Sequence, residues 1–311
     1  MQREINPLEL NRRRIRVRRS DVMILNIIGY TFLTIIAAAC FLPFLLVLSS
    51  SLTAEKAILT EGYRLIPSVW SLESYRLMFQ MPGKIINAYM ITIIVTVIGT
   101  ALSLFLMSMT AYVLQRKDFK WRNHFAFYFF FTTLFSGGLV PFYILVNNYL
   151  QLQDTIAVQI LPMVINVFYI IVMKAFISSS IPMEITESAK IDGAGDFTIY
   201  ARLILPLSKP ALASIGLLTA LSYWNDWYLP LLFISDQDLI PMQYYLYKTL
   251  INFQELQNAM VGSGQVIHST DVPVESMKMG MTIIAAGPIM LAYPFIQRYF
   301  IQGLTIGAVK G

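Results

Sequence analysis

Long uncharged runs decide what this chain can fold into. Val22 to Ala54 contains no Asp, Glu, Lys or Arg, nor does Ile85 to Gln115, nor Phe125 to Gln153. Thr155 to Met173 and Met279 to Gln297 are shorter and equally free of charge. A helix rises about 1.5 Å per residue and a bilayer's hydrocarbon core is about 30 Å thick, so about 20 apolar residues cross it. Six segments meet that length: 22–48, 87–114, 125–147, 156–176, 210–234 and 279–300. The spacing predicts an all-α membrane protein with six transmembrane helices. Only 13% of the residues are charged, against about 25% in a soluble domain, so much of the surface never meets water. The first run is too long for the apolar part of a signal peptide and lacks a small-residue cleavage pattern after it.

Lysine and arginine then orient the spans, because they concentrate on the cytoplasmic side. Seven arginines precede the first span, from Arg3 to Arg19. Arg116, Lys117, Lys120 and Arg122 lie between spans two and three, and Lys174, Lys190, Arg202 and Lys209 between spans four and five. The C-terminus holds Arg298 and Lys310. The opposite side holds Lys56, Arg64, Arg76, Lys84, Lys248 and Lys278. The expected division is a basic cytoplasmic arm (1–21), a first span (22–48), an extracytoplasmic loop (49–86), a transmembrane domain (87–303) and a cytoplasmic tail (304–311). The outer segments 49–85 and 235–278 are long enough for short helices. They contain Pro67-Ser68-Val69-Trp70 and Pro241-Met242-Gln243-Tyr244-Tyr245, and either dock a soluble partner or pack on the membrane surface. The basic residues form no single stripe, so nucleic acid is not an expected partner.

Between spans four and five lies a polar stretch with helical signals. Pro182 suits a first turn, where a missing N–H costs nothing. Glu184 and Glu187 sit near the positive end of the helix dipole. Ile181, Ile185 and Ala189 recur at four-residue spacing, one apolar stripe. Asp192, Gly193 and Gly195 stop this helix, since glycine takes the left-handed end conformation. Asp196 is expected to cap a second helix, with Phe197, Tyr200, Ala201 and Ile204 as its stripe. Pro206 and Pro210 would turn the chain into span five. Such a pair of amphipathic helices either lies on lipid or docks a protein. Glu184, Glu187, Asp192 and Asp196, matched by few bases, suit a protein partner better than anionic lipid.

The run Glu187-Ser-Ala-x-x-Asp-Gly-Ala194, followed by Leu203-x-Leu205-Pro206, resembles the EAA motif of permease subunits of bacterial binding-protein-dependent ABC importers. Ser188 stands where alanine is usual and Leu203 where isoleucine is usual, both conservative in size. The tail Gln297 to Gly311 looks like the C-terminal signature of sugar importers of the maltose-permease class. Phe135-Ser-Gly-Gly-Leu-Val-Pro141 and Tyr223-Trp-Asn-Asp-Trp-Tyr228 are similar to the lipoprotein/polygalacturonan-type permeases of complex-carbohydrate importers. The resemblance implies that residues 183–206 are coupling helices docking in a groove of an ATPase subunit. Glu187 would pair with a basic residue there and Gly193 would form the turn, with Ala189, Asp192, Ala194, Leu205 and Pro206 completing the motif. Gly303, Thr305 and Gly307 would reach between two ATPase subunits. It further implies a second homologous permease, an extracytoplasmic solute-binding protein and inward passage of an oligosaccharide across the bacterial cytoplasmic membrane.

The sequence shows no GxxxxGK[ST] phosphate loop, so this chain is expected to be a transport subunit and no enzyme, binding no cofactor, with ATP and magnesium held by the partner ATPase. Cys40 stands alone, and His124 and His268 are far apart, so no metal site is expected. Asp226 is the one charge well inside a predicted span, roughly 24 Å beyond Pro210. An ionisable group there costs about 2.5–3.5 kcal/mol near the helix centre, and less toward the interface. With Trp224, Asn225, Trp227 and Tyr228 it is a candidate lining of a sugar path, or else part of an interfacial aromatic belt. Asn87, Asn147, Asn148, Gln159 and Asn166 are weaker candidates, since amides within spans more often join helices. Gly137-Gly138 and Pro141 are read as a kink or a close packing point without substrate contact. The alternative is an ion-coupled secondary transporter, which would be expected to pair intramembrane acids and to repeat interrupted helices in both halves. Neither pattern is visible.

Overall fold

The computed structural model describes residues 19–80, 82–262 and 273–308. His268 and the last three residues of the tail fall outside them, as does most of the basic arm.

The apolar runs are helical because a bilayer offers no water to backbone amides, so each segment must satisfy its own. Helix α1 (Arg19–Ser51) leads to two short outer helices, α2 (Glu55–Glu61) and α3 (Glu73–Met78). An antiparallel bridge between Thr53 and Trp70 ties their linker. Helix α4 (Pro82–Gln115) follows, then α5 (Arg122–Leu134), α6 (Leu139–Ile144), which runs on as a π turn to Tyr149, and α7 (Ile156–Ile160). Next come α8 (Val167–Ser180), α9 (Met183–Ile191), α10 (Asp196–Ile199), a second π turn (Tyr200–Ile204) and α11 (Leu205–Leu207). The chain ends through α12 (Lys209–Trp224), α13 (Tyr228–Phe233), α14 (Met242–Gly262) and α15 (Val274–Ala308). At 21 residues α14 is no short loop helix.

Among the described residues, two unbroken helices, Met23–Ser51 and Pro82–Gln115, are long and apolar enough to cross a membrane. The predicted third span is instead broken. Arg122–Leu134 and Leu139–Tyr149 meet at 115°. Gly138 has φ +86°, and Pro141 cannot continue a helix, because its ring would strike the carbonyl four residues back. The predicted fourth span bends by 53° between Ile156–Met163 and Val167–Ser180. The predicted fifth span, 210–234, stops at Trp224 and restarts at Tyr228. Pro230 explains this, since a continuous helix would set its ring against the Asp226 carbonyl.

Helix α4 is the spine, packing against α12 and α8, while α1 lies along α15. One core cluster joins Met107, Ala111 and Tyr112 of α4 to Ile170, Met173 and Ile177 of α8, and to Ile199, Tyr200 and Ile204. A second holds Ile91, Val95, Ile160, Val164 and Tyr223. Here Gly99 is required by space. A Cβ on it would lie 2.6 Å from Tyr223 Cζ, inside van der Waals contact. The Tyr223 hydroxyl donates to the Ile160 carbonyl at 3.0 Å and lies 3.1 Å from Ser103 Oγ, so one ring binds α4, α7 and α12 together.

The outer end is fastened separately. Glu55, buried on α2, accepts the Glu275 N–H on Oε1 and the Ser276 N–H on Oε2, both at 2.9 Å. These are first-turn amides of α15, which have no partner within their own helix. Tyr63 donates to Glu275 Oε2 at 2.8 Å. Burial, then that bond, push its hydroxyl up to about 12.

Candidate functional site

The polar stretch between α8 and α12 is the two-helix corner expected from its pattern. Pro182 precedes α9, and Asp192 ends it. Gly193 then takes φ +80°, the left-handed conformation that costs a side-chain-bearing residue about 1–2 kcal/mol. No atom lies within 4 Å of where its Cβ would be, so conformation rather than room requires the glycine. The corner is closed by Gly193 N–H to Lys190 O at 3.0 Å and Ala194 N–H to Ala189 O at 2.9 Å. Ala189 and Ala194 pack on the core. Glu187 is exposed.

Two details differ from expectation. Gly195, not Asp196, occupies the cap position of α10. Asp196 is drawn away by Arg116, whose Nη1 lies 2.6 Å from its Oδ1. The buried stripe is Ile199, Tyr200 and Ile204, with Phe197 60% exposed. A π turn widens the helical period here, so the α-helical template misplaces one position. Leu205 and Pro206 sit in α11, and the chain swings by 81° at Ser208.

The segment's inner face is fixed to α4. The Tyr200 hydroxyl lies 2.7 Å from Ser108 Oγ, and its ring is 5.9 Å from that of Tyr112. A charged cluster adds to this. Arg116 pairs with both Asp118 (2.5 Å) and Asp196, and Lys190 Nζ reaches Asp118 Oδ2 at 2.7 Å. Arg116, with Lys190, holds the Asp118 carboxyl below the usual carboxylate range. This clamp was not legible as such. Arg116 and Lys190 read as orientation charges, and Asp196 as a cap. The exposed residues of the segment include the acids Glu184, Glu187 and Asp192 beside the apolar Ile185, Ile191 (87% exposed) and Phe197.

The structure moves Asp226 out of a continuous span. It stands in the gap between α12 and α13, and its Oδ1 accepts the Tyr228 and Leu229 N–H groups at 3.1 and 3.3 Å. The carboxylate thus caps α13, which accounts for a charge beside two apolar helices. Trp224 is half-buried, and Asn225 Nδ2 turns back to the Leu221 carbonyl. Trp227 stacks on Tyr247 at 4.5 Å. Tyr228 points elsewhere, into a cavity of about 520 Å³ lined also by Ser136, Gly137, Gly138, Pro141 and Phe142. The Gly-Gly break and Tyr228 alone of the aromatic run therefore share one hollow. Asn87 and Gln159 join helices, donating to the carbonyls of Asp238 (2.7 Å) and Leu239 (2.9 Å). Asn166 caps α8. Gly303, Thr305 and Gly307 lie within α15, whose helix continues through Ala308 rather than ending near 300.

A family model, the binding-protein-dependent transport system inner membrane component, matches residues 119–306. The chain belongs to this family. It is an ABC importer permease, not an ion-coupled transporter. It is 39% identical over 284 residues to the Polygalacturonan/rhamnogalacturonan transport system permease protein YtcP of Bacillus subtilis (strain 168), covering 91% of this chain and 96% of that one. It is 35% identical over 288 residues to Protein LplC of the same organism, covering 93% and 95%. Its fold is similar to a chain from the crystal structure of a bacterial ABC transporter involved in the import of the acidic polysaccharide alginate. The TM-score is 0.77 at 29% identity, over 91% of this chain and 98% of that one.

Proposed function

We propose that this chain carries an oligosaccharide inward, as one of two permease subunits powered by a separate pair of ATPase subunits and fed by an extracytoplasmic binding protein. The six crossings are α1, α4, α5 with α6, α7 with α8, α12 with α13, and α15. Both termini and the segment from α9 to α11 then face the cytoplasm, in keeping with the lysine and arginine distribution. ATP and magnesium belong to the ATPase.

One observation carries this reading: a corner that is fastened to α4 on one face and bare on the other. Glu187 offers the bare face a charge, and Gly193 shapes the turn. Tyr200, Ser108 and the Arg116 clamp make the segment move as one body with α4. The tail around Gly303, Thr305 and Gly307 adds a second ATPase contact. Tyr228, at the cavity beside the Gly137-Gly138 break, is the path-lining member of the aromatic run. Irregular backbone is tolerated at membrane depth only where protein or a water-filled cavity covers it. Relatives whose names specify polygalacturonan, arabinooligosaccharides or melibiose and raffinose support a carbohydrate cargo. Copurification of the ATPase with complexes carrying Glu187→Lys or Gly193→Asp tests the docking. Both should lose it, and full retention by both would refute the assignment.

A further inference from the structure

Two hollows lie side by side near the end of α4. The first is an apolar groove of about 310 Å³ between α4 and α5, lined by Leu106, Met109, Val113, Phe119, Phe125 and Phe129. The second is a polar pocket of about 300 Å³ lined by Lys117, Arg122 and Lys174, with Gln115 and Asn123. Leu114 lines both. From Leu106 to Leu114 the groove follows α4 for about 12 Å, most of the roughly 15 Å of hydrocarbon in one leaflet. The chain carries no charge from Ile85 to Gln115, and Arg116 and Lys117 then mark the membrane edge. The apolar hollow is therefore at acyl-chain depth and the polar one at headgroup level.

The polar pocket is lined by three cations and no acid. Asp118, the one acid between Arg116 and Arg122, is held by Arg116 and Lys190. Arg122 and Lys174 are half-buried. Arg122 also opens α5, where the helix dipole disfavours a cation. An anion in the pocket relieves that repulsion and makes charge-assisted hydrogen bonds, roughly twice as strong as neutral ones. Orientation charges need only lie in the loops. That rule neither gathers three of them around one hollow nor sets an apolar groove beside it. A soluble anion would use the pocket alone. A phospholipid with an anionic headgroup fits both hollows in the order of their depths, and basic pockets between membrane helices suit such headgroups.

We propose that the two hollows form one binding site for an anionic phospholipid. Lys117, Arg122 and Lys174 hold its phosphate. One acyl chain lies along Val113, Met109 and Leu106, against Phe125 and Phe129. The lipid bridges α4, α5 and α8 and reaches Met183, the first residue of α9. The site goes beyond the transport reading and needs only that α4 crosses a membrane.

The test titrates the complete, detergent-purified transporter with lipid and counts bound lipids by native mass spectrometry. The probes are phosphatidylglycerol, phosphatidylcholine with the same acyl chains, and glycerol 3-phosphate. Each basic residue at a membrane surface strengthens binding to anionic lipid about fivefold. Lys117→Gln/Arg122→Gln/Lys174→Gln should therefore bind one phosphatidylglycerol per copy of this chain at least about tenfold more weakly than wild type does. Phosphatidylcholine binding should not change. Lys117→Arg/Lys174→Arg should keep the wild-type affinity, and Val113→Trp, which fills the groove and keeps the bases, should lose the same lipid. Glycerol 3-phosphate should not displace phosphatidylglycerol. Equal phosphatidylglycerol binding by wild type and the Gln variant overturns the proposal. So does displacement by equimolar glycerol 3-phosphate, which would assign the pocket to a soluble phosphate. Loss of the ATPase from the Gln variant in lipid-free detergent also overturns it, because the bases would then belong to that protein contact.

Discussion

Arg116, just beyond the end of α4, holds Asp196, the first residue of α10, with Nη1 to Oδ1 at 2.6 Å. The two are far apart in sequence, yet this contact fastens the segment from α9 to α11 to the spine of the fold. Arg116 is mostly covered and Asp196 is 57% exposed. The pair is therefore worth at most about 1 kcal/mol of stability, and its use is positional. Asp196→Asn should leave the assembled complex and its basal ATPase intact while raising the ATP hydrolysed per sugar imported. Parallel assays of hydrolysis and uptake on one preparation check this. An unchanged ratio would show that the clamp transmits nothing.

The clamp has a defined pH response. Arg116 and Lys190 depress the Asp118 carboxyl below its usual value. A depressed carboxyl contributes stability that is fully present above the unfolded-state value, about 3.9, and is lost as pH falls through the lower folded-state value. Between pH 5 and 9 Asp118 should therefore not titrate. Carboxylate signals followed by isotope-edited infrared spectroscopy, wild type against Asp118→Asn, should show no Asp118 protonation in that range.

Gly99 and Tyr223 should tolerate no added bulk. A Cβ at 99 would meet the ring at 2.6 Å, and that ring is held at its hydroxyl by Ile160. Gly99→Val should cost about 1–3 kcal/mol, as overpacking does. A lowered midpoint in detergent thermal unfolding and reduced yield are the expected results.

Glu55 should act as an external cap. Glu55→Ala leaves the Glu275 and Ser276 amides without their acceptor, at a cost of about 0.5–2 kcal/mol. Hydrogen exchange in the first turn of α15 should accelerate, while exchange around Tyr200 should not.

The sequence made the outline legible and the joints much less so. Apolar runs mark each crossing because the bilayer demands them. The corner at Gly193 could be read because its signals are local: a proline start, acids in the first turn and a glycine stop. Asp226 was misplaced because apolar residues flank it on both sides. Only Pro230, four residues on, signals that the helix must restart there. The third span carried its own markers in Gly137-Gly138 and Pro141, but packing sets a bend of 115°. The Arg116 clamp and the Glu55 cap join residues too far apart for any periodic pattern to register. Ile199 displaced Phe197 in the core because the π turn at Tyr200–Ile204 breaks the α-helical period.

The central claim is that the corner centred on Glu187 and Gly193 passes the work of a separate ATPase to these helices. It is tested most directly by measuring bound ATPase and ATP-driven uptake together in the reconstituted complex bearing Glu187→Lys. The account predicts that both fall about tenfold or more, as when one partner of an interfacial charge pair is removed, with the permease pair still assembled. Wild-type ATPase binding and wild-type uptake in that variant would contradict it.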